Sequence, residues 1–299
     1  MNKIKGVVPV LHTPINSQGD VDVKGLENLV NFLCSKEIAG LWVLGTGSED
    51  MNLTISQRLK VIECVISVNN NRIPLVIGSS FFCFDDILSF FKKIENLDFP
   101  FIHVMPYHPL FSLDRLEFFY KELANKSPKP LWMYTSGNWC IKVPGSFVEK
   151  MKNTKNICGI KYSTSNTVDL GRVAALSDDN FNVLSAVIST FYSSLCQGVD
   201  GSTSSVGSPM PEVLIDIYNN FVNKNHQEAL KLQRKLNNFL NEWPNNSSKH
   251  NFLKAAEEKI ILKIRNLCDH YTTSYYRDCD LSDIKIFKQL IYKYYPEIL

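Results

Sequence analysis

One lysine stands out at the end of an otherwise apolar stretch. The segment Asn156-Ile-Cys-Gly-Ile-Lys161-Tyr-Ser-Thr-Ser-Asn166 is uncharged and half β-branched from Ile157 to Ile160, which suits a strand buried on both faces. A lysine ending such a strand loses hydration unless it is paired, and burial drives it toward the free amine. A free amine attacks carbonyl carbon. The plain alternative is that Lys161 marks where the strand meets water, and on this segment alone both readings stand. Hydroxyl, imidazole and glycine residues close other apolar runs: Gly45-Thr46-Gly47-Ser48-Glu49, Gly78-Ser79-Ser80, Pro106-Tyr107-His108, Tyr134, and Gly201 through Ser204 to Gly207.

These run ends do chemistry together only if a fold gathers them. Strand-like runs at Val7–Leu11, Leu41–Leu44, Ile73–Ile77, Phe101–Met105, Pro130–Tyr134, Ile157–Lys161, Asn182–Leu184 and Gly201–Ser204 alternate with segments of helical spacing. Those segments carry Leu26 to Leu33, Leu59 to Val65 behind a Thr54 N-cap, Ile87 to Ile94, Leu116 to Leu123, Phe147 to Met151, Leu170 to Leu176, Tyr192 to Cys196 and Pro211 to Phe221. Eight strand-helix units predict an α/β fold, a (β/α)8 barrel over residues 1–223, with chemistry at the C-terminal strand ends. A doubly wound open sheet is the second choice, and it lacks a Gly-rich loop after the first strand, where His12-Thr13-Pro14 stands. Residues 224–299 read as purely helical, around Ala229–Leu240, Phe252–Leu267 and Ile284–Tyr292, an extension packed on the barrel or at a subunit interface. Alternation along the strands sets Trp132 with Tyr134, and Ile157 with Gly159 and Lys161, toward the barrel axis. Gly159 would then leave space beneath the lysine.

Composition excludes several function classes. The 299 residues are 44% hydrophobic and 21% charged with net charge +2, an ordinary globular balance without the basic excess of a nucleic-acid or membrane-surface binder. Eight cysteines lie scattered with no CxxC pair, as expected in a reducing cytoplasm. No apolar run approaches a membrane span. No His or carboxylate pair has metal-ligand spacing, so a metal-dependent route is not expected. His12 and His103 read as packed residues, Glu49 as a structural acceptor near the next helix, and Tyr275-Tyr276-Arg277 as a contact surface.

The chain resembles the class I, pyruvate-using aldolases that include dihydrodipicolinate synthase and N-acetylneuraminate lyase. Gly6 with Thr13-Pro14, Gly19-Asp-Val-Asp22, Gly45-Thr-Gly-Ser-Glu49, Leu53-Thr54, Pro106-Tyr107, Tyr134, Gly159-Ile-Lys161, Gly198-Val-Asp-Gly201 and Met210-Pro211-Glu212 carry that resemblance in order, over essentially the whole chain. It implies that Lys161 forms a Schiff base with a 2-oxo acid such as pyruvate, the iminium stabilising a carbanion. Tyr134 and Thr46 match the family's proton-relay hydroxyls. The substrate carboxylate would rest on the Thr46 and Gly47 N–H groups, with Tyr107, Asn138 and Ser204 as further substrate contacts. Tyr134 has a blander reading, a buried tyrosine satisfied by backbone. No cofactor or metal is implied, and a homotetramer is expected.

Four departures bear on the substrate. Gly47 replaces a hydroxyl residue. His108 stands where many members place a tyrosine that reaches into a neighbouring subunit, and histidine also carries protons near neutral pH. Ala186 replaces a glycine after the seventh strand. The loop Thr135–Pro144 is short and has no arginine to clamp an aldehyde's carboxylate; Asn138 and Trp139 suit a polyhydroxylated aldehyde instead. The expected activity is therefore a lyase joining pyruvate to, or releasing it from, a sugar-derived aldehyde. The alternatives are 4-hydroxy-tetrahydrodipicolinate synthase, a dehydratase of 2-oxo sugar acids, and a binding protein without turnover.

Overall fold

The uncharged runs form strands because both their faces are covered, by side chains along the axis and by helices outside. The structure, a computed structural model, describes residues 3–136, 139–244, 254–273, 276 and 278–299. Its strands are β1 (Gly6–Val7), β2 (Leu41–Val43), β3 (Leu75–Gly78), β4 (Phe101–Val104), β5 (Leu131–Tyr134), β6 (Ile157–Tyr162), β7 (Asn182–Ser185) and β8 (Gly201–Ser202). A helix follows each: α1 (Val23–Cys34), α2 (Ile55–Asn69), α3 (Phe84–Ile94), α4 (Leu113–Lys126), α5 (Gly145–Lys152), α6 (Thr167–Ala174), α7 (Phe191–Cys196) and α8 (Pro211–Val222). Every neighbouring strand pair is parallel, in the order β1-β8-β7-β6-β5-β4-β3-β2.

The two edges meet. Trp42 N–H donates to Pro9 O, and Leu11 N–H to Trp42 O, each at 2.9 Å. On the other side Val8 and Val10 donate to Ser202 O and Ser204 O at 2.8 and 3.0 Å. The sheet is thus a closed (β/α)8 barrel and the open-sheet alternative is excluded. β1 is shorter than the expected Val7–Leu11 because Pro9, on the side facing β2, has no N–H to give.

The helix starts follow local chemistry. Asp22 caps α1 by accepting from Gly25 N–H at 3.0 Å. Thr54 caps α2 with Gln57 in a reciprocal capping box, at the expected position. Beyond the barrel come α9 (His226–Asn241), α10 (Lys254–Ile264) and α11 (Leu281–Tyr294). Leu236 and Phe239 of α9, Ile260 of α10 and Phe287 of α11 belong to the same buried cluster as the outward faces of the strands. A separate inner cluster, with Val8, Val10, Trp42, Trp132, Tyr134 and Leu184, fills the barrel.

Alternation fails once, beside the lysine. Leu131 pairs with Ile157 but Trp132 with Gly159, a register shift that adds one residue to β6. Ile157 consequently packs in the outer cluster and Cys158 in the inner one, contrary to the simple count. Nor does Gly159 leave a void. A Cβ there would lie 2.8 Å from the Trp132 ring and 2.9 Å from Asn182 O, so the missing side chain admits the indole.

Candidate active site

Lys161 lies level with Tyr134 on β5 and Leu184 on β7. It is 5% exposed. Its Nζ sits 4.2 Å from the centroid of the Tyr134 ring and 5.3 Å from that of Trp42, with no hydrogen-bond or ion-pair partner among the described residues. Burial pushes its pKa down to about 7, against the opposing charge of Asp50. Close to neutral pH a substantial share is therefore free amine. Of the two readings of this lysine, a strand end meeting water does not describe it.

Tyr134 shares a hydrogen bond of 2.8 Å with Thr46 Oγ1. Its hydroxyl is thus matched to a side chain, and burial raises its pKa well above the ordinary value, so it acts as a neutral phenol. Its main chain is held from behind by the Tyr120 hydroxyl, which accepts from Tyr134 N–H at 3.2 Å. Thr46 and Gly47 open a short 3-10 turn, Thr46–Ser48, whose first N–H groups have no intrahelical partner. Ser48 anchors that turn by donating to Leu11 O and accepting from Gly45 N–H.

Lys161, Tyr134, Thr46, Gly47 and Ser204 line one cavity of about 300 Å³ at the C-terminal mouth of the barrel. Ala186 lines it as well. The hydroxyls of Thr203 and Ser204 are buried with no hydrogen-bond partner among the described residues. Among the described lining residues Lys161 is the sole cation, and Ser136, Ser163, Ser189 and Ser205 add further hydroxyls.

Two expected residues sit elsewhere. Tyr107 is buried in the inner cluster and its hydroxyl donates to Asp50 at 3.0 and 3.2 Å. His108 stacks on Phe111 with centroids 4.2 Å apart, its Nε2 donating to Phe82 O at 2.8 Å, and it does not line the cavity within one protomer. Asn138 lies outside the described residues, as do Tyr275 and Arg277.

A family model for the dihydrodipicolinate synthetase family matches residues 3–278. The chain belongs to the dihydrodipicolinate synthetase family. With that family comes the enzyme class, an aldolase or lyase of the class I, Schiff-base type. The 4-hydroxy-tetrahydrodipicolinate synthase of Karelsulcia muelleri is 27% identical over 283 residues, 91% of each chain. A dihydrodipicolinate synthase structure from Bacteroides thetaiotaomicron superimposes with TM-score 0.91 at 20% identity, covering 98% of this chain and 100% of that one. An N-acetylneuraminate lyase from Proteus mirabilis gives 0.88 at 17%, covering 98% and 99%. At those identities the two structures speak for the fold.

Against the family pattern, Gly47 now has a structural reason. A Cβ at that position would come 2.7 Å from Ser205 Cβ, so Ser205 of the β8 loop occupies the space a side chain would need. Ser205 donates to Glu258 Oε1 at 2.8 Å, and Glu258 Oε2 meets His12 Nε2 at 2.9 Å, both side chains being fully buried. His12 is therefore packed and also engaged. His103 is packed: it stacks on Trp42 at 4.2 Å, donates from Nε2 to Val43 O, and burial keeps it neutral with its pKa down to about 3. Glu49 is a structural acceptor, but its partners are in the C-terminal part, Lys259 at 2.5 Å and Thr273 N–H at 2.7 Å, instead of the next helix.

Sequence reasoning missed Asp50, Thr203, Ser205 and Glu258. Thr203 and Ser205 share the Ser- and Thr-rich run after β8 with Ser204, and the adjacent pair Glu49-Asp50 was a visible signal, two carboxylates following a strand end. Nothing local marks Glu258, which arrives from another helix.

Proposed function

We propose that the protein makes or cleaves a 2-oxo acid through an imine between Lys161 and pyruvate, with a sugar-derived aldehyde as the second substrate. The observation that carries this reading is a buried lysine amine, without an ionic partner among the described residues, lining a cavity beside the Tyr134–Thr46 hydroxyl pair. The free amine adds to the C2 carbonyl to give a carbinolamine, whose hydroxyl takes up a proton and leaves as water, giving the iminium. That cation draws electrons from the C2–C3 region, so a C3 proton, or the bond from C3 to the aldehyde carbon, can break. Tyr134, a neutral phenol linked to Thr46, moves protons between the developing oxyanion and the nitrogen. The ketoacid carboxylate faces the Thr46 and Gly47 N–H groups. Hydroxyls from Ser136, Ser163, Ser189, Thr203 and Ser204 suit a polyhydroxylated chain, and Thr203 and Ser204 still have hydrogen-bonding capacity to offer.

Trapping decides the first half. Incubation with pyruvate and borohydride adds a reduced pyruvyl group to the Lys161 peptide in a mass spectrum, and Lys161→Ala abolishes it; no adduct, or an adduct surviving that substitution, rejects the reading. A second reading, 4-hydroxy-tetrahydrodipicolinate synthase, is favoured by the name its curated relatives carry. It needs a cationic clamp for a dicarboxylic product, and the Thr135–Pro144 loop has no arginine. Turnover of aspartate semialdehyde against a panel of sugar aldehydes separates the two, and water loss without aldehyde release would indicate a dehydratase.

A further inference from the structure

The imine chemistry leaves a buried carboxylate next to the Thr46 turn unused. Asp50 opens a second 3-10 turn, Asp50–Asn52, joined to the Thr46 turn through Glu49 in the left-handed conformation, φ 60°. Its carboxylate is fully buried. Among the described side chains only the Tyr107 hydroxyl donates to it. Arg58 is nearby but spends its N–H groups on carbonyls: Leu53 O at 3.3 Å, Ser80 O at 2.8 Å and the Asp50 O at 2.6 Å. Arg58 Nη1 stays 4.0 Å from Asp50 Oδ2, too far for a hydrogen bond. Tyr107 packs in the same inner cluster as Tyr134, over whose ring the Lys161 amine lies. The barrel mouth thus holds a buried anion, engaged by the Tyr107 hydroxyl and by backbone N–H of its own turn, and an amine with no contacting carboxylate among the described residues. In a weakly polarisable interior such charges act on one another across several ångströms.

We propose that Asp50 is a positioning residue of the lysine site: its carboxylate supplies the counter-charge that governs how much of Lys161 is free amine, and it holds Tyr107 by the hydroxyl. The inference rests on Lys161 being the reacting amine. The electrostatics agree in direction. The Asp50 charge favours the ammonium form of Lys161, whose pKa is about 7, and burial lifts Asp50 itself to about 6 against Arg58 and Tyr107. Asp50 therefore acts as an anion in the range where Lys161 loses its proton. The groups facing the pair are Arg58 from α2, Tyr107 and neutral His103 from the β4 segment, and Tyr134 from β5. His12 with Glu258, and Glu49 with Lys259, engage one another.

The test reads Lys161 directly, without substrate. Reductive methylation by formaldehyde and cyanoborohydride, followed across pH by mass spectrometry of the Lys161 peptide, gives the midpoint of amine reactivity. In Asp50→Asn or Asp50→Ser it moves to lower pH by about half a unit or more, and Tyr107→Phe, which takes a hydrogen bond from the carboxylate and so lifts the Asp50 pKa further, moves it the same way by less. An unchanged or raised midpoint in a folded Asp50 variant overturns the proposal. So does loss of the fold in both uncharged variants, which would make Asp50 purely structural. Pyruvate trapping on the same proteins separates the two claims: a shifted midpoint with no pyruvyl adduct in any of them rejects the aldolase reading and leaves the Asp50 role standing.

Discussion

Lys161 is stabilised poorly as a structural residue, and that is informative. A base whose pKa falls from 10.5 to about 7 on folding holds its proton less tightly in the native state than in the unfolded chain. The resulting penalty is full below about pH 7, shrinks as pH rises, and vanishes above the unfolded value near 10.5. Replacing the amine by an apolar chain of similar length removes it. Lys161→Met is therefore expected to raise stability at pH 7 by a few kcal/mol, with the gain fading toward pH 10.5. Urea unfolding at several pH values measures this, and a destabilised variant at pH 7 would contradict it. The arrangement matches sites that keep a reactive group at the expense of stability.

At the level of elements, the decisive feature is how closely the β2 and β8 loops approach. Gly47 has no room for a side chain because Ser205 fills its space, so the two loops can carry one side chain there between them. Gly47→Ser alone should lower turnover or folding, since the added Cβ comes within 2.7 Å of Ser205, an overpacking that costs about 1–3 kcal/mol. The exchange Gly47→Ser with Ser205→Gly should recover most of that loss. A double-mutant cycle over thermal stability and kcat/KM reads the coupling, and additive effects would show that the loops do not share the space. Local pattern carried most elements here. The Thr54 capping box and the apolar strand cores were legible because their signals lie within a few residues. The extra residue in β6 was not, since a bulge depends on what the neighbouring Trp132 needs.

For the whole molecule, the C-terminal helices are tied to the barrel by buried charge as well as by the shared outer core. Glu49, at the end of the β2 loop, pairs with Lys259 of α10 at 2.5 Å with both side chains fully buried. Lys259 also donates to Tyr271 O at 2.8 Å. Removing one partner strands the other: Lys259→Met is expected to cost about 3–5 kcal/mol. The apolar-neutral pair Glu49→Gln with Lys259→Met should be much less damaging. Chemical denaturation of the single and the double variant checks the order, and equal losses in the two would count against the pairing. His12 with Glu258 makes a second such link, reaching the cavity through Ser205. The barrel mouth is thus partly assembled by a helix outside the eight repeats.

The sequence by itself determined the barrel, the strand that carries Lys161 and the resemblance that names its chemistry, because period-2 and period-3.6 patterns and ordered motifs are local and survive without coordinates. It placed Tyr134, Thr46 and Ser204 at the cavity on the same basis. Tertiary structure alone decided the surroundings of the amine. Asp50 is a polar residue in a loop until Tyr107, 57 positions away, donates to it, and Glu258 is a helix residue until Ser205, 53 positions away, does the same. Trp132 makes Gly159 necessary, and Ser205 makes Gly47 necessary. Those choices depend on which distant atoms are excluded from water together, and burial, which sets charge and packing, is a property of the folded whole.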